Sequence, residues 1–149
     1  MLSMQSRLDL IAPDVAQAIA TVAQPRRIAV LACETALRVT HNLPRRVNEA
    51  VSALVRGNPS RMEKVRLELR AIIRELDALY LAEYERSGEQ NTPAVLAAFS
   101  RARAANAVLL ALDPDASVAA PEAVYEAHAA LPDKDAARLL EDVRRAVHA

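Results

Sequence analysis

Glycine is almost missing from this chain: its 149 residues include two, Gly57 and Gly88, against eight prolines. Alanine, arginine and proline all abound, so a simple codon bias would have brought glycine along with them. Glycine costs about 1 kcal/mol in a helix interior relative to alanine, and its exclusion points to a chain that is nearly all helix. The same scarcity leaves no phosphate-cradling loop and no dinucleotide fingerprint. There is one cysteine, Cys33, so no intramolecular disulfide can support the fold and a reducing compartment is expected. One cysteine with three scattered histidines (His41, His128, His148) does not make a zinc site, and no His-Glu-x-x-His run occurs. Neither a cofactor nor a metal is expected. Tryptophan is absent and the aromatics are Tyr80, Tyr84, Phe99 and Tyr125. The core must therefore be built from Ala, Leu and Val, which favours closely approaching helices.

Long apolar runs are missing too. The N-terminus shows no signal-length apolar stretch before Arg7, Asp9 and Asp14. The longest strongly apolar uncharged stretch, 104–112, is about half a membrane span. A soluble cytoplasmic protein of one domain, 1–149, is expected. Net charge is zero but unevenly spread. Residues 1–70 hold eleven Arg or Lys and six Asp or Glu, net +5, while residues 71–149 hold eight and thirteen, net −5. That polarity either steers a charged partner or is neutralised when the two halves pack together, and mutual neutralisation is the simpler expectation.

What is present is helical punctuation. Proline suits a first helical turn, and Pro13, Pro25, Pro44, Pro59, Pro93 and Pro121 each precede an apolar run of helical period. Pro132 stands before the last. Gly57 and Gly88 fall where helices should close in the left-handed conformation. Seven helices follow, at about 13–24, 26–41, 44–56, 59–86, 93–112, 121–131 and 133–148, with one helix kinked at Pro25 as the alternative for the first two. The fold expected is all-α: a single-domain bundle of six to seven helices with one long central helix, 59–86. In that helix Met62, Val65, Leu69, Ile72, Leu76 and Leu79 make a heptad-type seam, and Ser60 with Glu63 has capping-box spacing. Residues 28–33 are apolar nearly all round and should be buried at the centre. Glu34 and Arg38 sit one turn apart and can pair.

Few residues suggest chemistry. Cys33 lies mid-helix on an apolar face, where a thiol is usually inert, and His128 reads as a packing residue. The repeated Pro-Arg-Arg places Arg26, Arg27, Arg45 and Arg46 in first helical turns. Cations there oppose the helix dipole, and guanidinium forks beside free N–H groups can form an anion site. These four are the candidate partner-binding residues, with a solvated helix end as the plainer alternative. Asn106 shares a stripe with Val95, Phe99, Ala102 and Leu109 and should face the core. There it either fixes helix register or, with Tyr80 and Tyr84, lines an interhelical ligand pocket. Balanced charge, two lysines (Lys64, Lys134) and no basic recognition helix argue against nucleic acid.

Three segments, Ala29–Leu37, Arg45–Gly57 and Ala102–Leu109, resemble a family of all-helical bacterial immunity proteins. Their motifs are Ala- and Arg-rich helices, and the likeness covers residues 29–112. That family tends to carry a Trp in the second segment and a His-bearing stretch after the third. Here Leu54 and Val55 occupy the former, and an aliphatic run ending at Leu112 the latter. The resemblance implies a non-enzymatic protein that binds and neutralises a toxin from the same strain. A small-molecule or enzymatic helical domain, or a helical DNA-binding regulator, are the alternatives.

Overall fold

The computed structural model describes residues 6–88 and 92–149, so the leader reading at residues 1–5 lies outside the described part. After one 3-10 turn (Arg7–Leu10) come α1 (Pro13–Thr21), α2 (Pro25–Val39), α3 (Arg45–Arg56), α4 (Pro59–Ser87), α5 (Pro93–Ala111), α6 (Ala116–Ala130) and α7 (Asp133–Val147). No strand occurs among the described residues. The all-α bundle expected from the near-absence of glycine is the fold observed.

Its centre is alanine. Among the described residues, nineteen of the 39 buried apolar ones are Ala and none is aromatic, so α2, α5 and α6 pack on one another through small side chains. Helix α2 touches every other helix except α4, which fits its nearly uniform apolar surface. Ala29, Ala32, Cys33 and Ala36 on it are completely buried. Helix α5 is long and apolar enough by composition to cross a membrane. Here its apolar residues meet α2, α4 and α6 instead, and eight of them are buried.

Caps define the ends. Gly57 (φ +71°) and Gly88 (φ +69°) close α3 and α4 in the left-handed region, as their positions suggested. Pro25 opens α2, and α1 and α2 are separate helices, because the extended segment 22–24 that must precede a proline breaks them. Two expectations about starts fail. Asn58, not Ser60, caps α4, its side chain accepting the Arg61 N–H at 3.0 Å. Pro121 lies inside α6 rather than at its start. The Asp115 side chain accepts the Ser117 N–H at 3.0 Å and begins the helix five residues earlier.

Helix α4 is the longest, about 44 Å at 1.5 Å per residue, but it lies on the flank, touching α3 and α5 only. Its buried positions are Met62, Val65, Leu69, Ile73 and Leu76. Ile72 is half-buried and Leu79 is 57% exposed. The spacing 3, 4, 4, 3 departs from the heptad after Leu69, and half-buried Tyr80 and Tyr84 extend it by four and four. A repeat of eleven residues over three turns lies closer to the relaxed α-helix than a heptad does. The inner stripe therefore keeps to the rhythm of the relaxed helix rather than to the heptad of a left-handed supercoil. Glu34 and Arg38 are both exposed and form no ion pair.

Candidate functional site

The four sequence-nominated arginines have separate roles in the fold. Arg26 reaches across the bundle. Its guanidinium donates to the carbonyl oxygens of Ala111 at 3.2 Å and of Asp113 and Pro114 at 3.4 Å. The Ala111 carbonyl is among the last of α5, which have no partner within the helix, and the other two belong to the turn that follows, so Arg26 serves as a side-chain cap for a neighbouring helix. Arg45 pairs with Glu49 at 3.2 Å and Arg46 with Glu68 at 3.0 Å. Arg27 is exposed and makes no ion pair with any described residue.

Arg27 also borders the most voluminous of three surface clefts. This one, about 790 Å³, opens between the end of α1, the 22–24 link, the start of α2 and the end of α7. Val22, Ala23, Ile28, Leu31, Ala146 and Val147 supply apolar walls, and Thr21, Gln24 and Arg27 the polar side chains. A second cleft, about 420 Å³, lies between the 3-10 turn, α1 and the start of α6. The third, about 340 Å³, is lined by Thr40, His41, Asn42, Ser100 and Arg101 among others. There Asn42 takes a left-handed φ of +63°, and the buried Thr40 Oγ1 has no hydrogen-bond partner.

None of the three clefts is lined by Asn106, Tyr80 or Tyr84. Tyr80 stacks at a tilt on Phe99 (centroids 5.5 Å apart) and on Tyr84 (6.5 Å), bracing α4 against α5. Asn106 lies two turns beyond Phe99. It is half-buried rather than core-facing, since the stripe turns gradually away from α4 along α5.

The strongest polar feature was not anticipated. Glu126 on α6 is 0% exposed. Its carboxylate lies 2.8 Å from Arg7 Nη2 and 3.3 Å from Arg103 Nη1. Arg7 also binds Glu122 at 2.6 Å and sits 4.4 Å over the Tyr125 ring. Burial works against the charge of Arg7, but the Glu122 hydrogen bond and the field of Glu126 outweigh it and hold its pKa above the ordinary value. Two acids and two arginines thus neutralise one another while joining the 3-10 turn, α5 and α6. A signal existed in the sequence. Between Asp115 and Asp133 the only acids are Glu122 and Glu126, one turn apart in alanine. Between Pro93 and Asp113 the only charges are Arg101 and Arg103.

The remaining titratable candidates are inert. Cys33 is wholly buried, and its thiol donates to the Ala107 carbonyl oxygen at 3.6 Å. Burial, with the charge of Glu34, pushes its pKa far up, which removes the thiolate a nucleophile needs. Burial lowers the pKa of His128, with Asp133 opposing. No group of three metal-ligating side chains occurs among the described residues. No family model, curated protein or solved structure matches the chain.

Proposed function

We propose that the protein is a non-enzymatic protein-interaction module acting in the cytoplasm. In this proposal it is an immunity protein that docks on and neutralises a cognate bacterial toxin. The observation that carries the docking role is the cleft beside Arg27. It is open, walled by aliphatic side chains and rimmed by a guanidinium that no described acid neutralises. Such a surface suits an apolar side chain flanked by carboxylates on a protein partner. The apolar tip loses water in the groove, and the charge guides the encounter. Toxin neutralisation rests on the resemblance of residues 29–112.

Arg27 replaces the Arg45–Arg46 pair as the leading contact, because each of that pair already has a carboxylate partner. A duplex backbone fits less well. The cations of α4 are followed by acids further along the same helix, so no phosphate track forms. The test is co-purification from the native host and identification of what is retained, followed by binding kinetics with the purified partner. Arg27→Glu should slow association at low salt and reduce its salt dependence.

A further inference from the structure

Helix α4 carries its charges in the wrong order for a solitary helix. Residues 59–74 hold Arg61, Lys64, Arg66, Arg70 and Arg74 against Glu63 and Glu68, net +3. Residues 75–87 hold Glu75, Asp77, Glu83 and Glu85 against Arg86, net −3. Cations near a helix N-terminus and acids near its C-terminus both oppose the macrodipole. Arg66, Arg70 and Arg74 also stand at successive i, i+4 positions, where like charges repel. Within the protomer, Arg66 reaches Glu63 and Asp113, Glu68 reaches Arg46, and Arg86 reaches Glu83. Arg61, Lys64, Arg70 and Arg74 are exposed and form no ion pair with any described residue, and the same is true of Glu75, Asp77 and Glu85. Among the described residues the result is four unpaired cations in one half of the helix and three unpaired anions in the other.

The face of α4 away from α3 and α5 adds an apolar stripe. Lys64, Leu67, Ala71, Arg74, Ala78, Leu81 and Glu85 are spaced alternately three and four apart, and all are exposed. Leu67 and Leu81 each expose 55% of their surface. The inner stripe of α4 follows an eleven-residue rhythm, so this outer heptad pattern is not a by-product of packing on α5.

We propose that this face binds a second copy of the chain, antiparallel, about a two-fold axis between Arg74 and Glu75. Residue i of one protomer then lies opposite residue 149 − i of its partner. Lys64 meets Glu85, Arg74 meets Glu75 and Glu63 meets Arg86. Leu67 lies over Ala82, and Ala71 over Ala78, small enough for axes about 8 Å apart. Every charged pairing named is attractive, and each helix N-terminal half meets the oppositely charged half of its partner. A parallel arrangement would set like charge on like. One helix pair about 44 Å long covers less than the roughly 800 Å² per partner of a standard interface. The dimer is therefore weak and reversible, and it loosens further with salt. It is independent of the Arg27 cleft.

Sedimentation velocity on the full chain, from about 5 to about 500 µM at low salt, tests the association. Zero-length carbodiimide cross-linking tests the geometry. Within one chain Lys64 and Glu85 are about 31 Å apart along the helix, so a Lys64–Glu85 cross-link must be intermolecular. The expected result is a concentration-dependent dimer that yields this cross-link. Arg74→Glu or Glu75→Arg alone should weaken it tenfold or more, and the double swap should restore it. A monomer throughout, a dimer without the Lys64–Glu85 link, or a double variant no better than the singles would each overturn the proposal.

Discussion

Glu126→Gln tests the buried cluster with almost no change of shape. The wild-type carboxylate is fully excluded from water and bonded to two guanidiniums, at 2.8 Å to Arg7 and about 3.3 Å to Arg103. Charge-assisted hydrogen bonds contribute roughly 1.5–3 kcal/mol each, and breaking a fully buried pair costs about 3–5 kcal/mol. Two features lower the cost here. The Arg7 and Arg103 side chains are 42% and 37% exposed, so water can screen their remaining charge. Arg7 also keeps Glu122. We expect a loss of about 2 kcal/mol, or about 4–8 °C in Tm for a domain of this size. Urea unfolding at neutral pH, followed by circular dichroism, should show a lower midpoint with an unchanged m value. The exposed Asp14–Arg144 pair is the control, and Asp14→Asn should leave the midpoint where it was. A Glu126→Gln variant as stable as wild type would show that the cluster does not hold the 3-10 turn to α5 and α6.

Leu69→Ala should destabilise by about 2–5 kcal/mol, because Leu69 is 1% exposed. Leu79→Ala should cost less than about 0.5 kcal/mol, and equal losses would contradict the register of α4. For His128, the lowered folded pKa means that the unfolded chain takes up the proton first as pH falls. Its contribution is therefore complete above about pH 7 and declines below about pH 6.5. His128→Gln should flatten that part of a stability-versus-pH profile, and an unaltered profile would refute the assignment. Cys33 should resist a thiol reagent in the native protein and react at the rate of unfolding, whereas fast native labelling would show the bundle is looser than its burial implies.

The elements were largely legible because proline and glycine mark them. Gly57 and Gly88 close their helices because no other residue enters the left-handed region so cheaply. Pro121 misled because it lies in the second turn of α6, where it forgoes a backbone bond to the Ser117 carbonyl instead of opening the helix, and the side chain of Asp115 decided where α6 begins. The heptad seam failed at Ile72 for a different reason. Ile72 and Ile73 are adjacent and identical, and only packing against α3 and α5 selects between them. The candidate site was less legible. Whether an arginine is free depends on partners far away in the chain. Arg26 meets the end of α5 some 85 residues on, and Arg7 meets Glu122 across 115 residues. Glu126 could have been suspected from charge-poor α5 and α6, but its complete burial needed the 3-10 turn to deliver Arg7. The +5 and −5 halves do in part neutralise each other, through Arg7 with Glu122 and Glu126 and Arg66 with Asp113. Arg27 escapes that pairing.

The docking claim rests on Arg27, and the association rate of the identified partner measures it most directly. Wild type, Arg27→Glu and the Arg45→Ala/Arg46→Ala double variant should be compared at low and at physiological salt. Arg27→Glu should slow association by about tenfold or more at low salt, with the difference shrinking as salt rises, while the double variant stays within about twofold of wild type. An association rate for Arg27→Glu equal to wild type at low salt would contradict docking at this cleft.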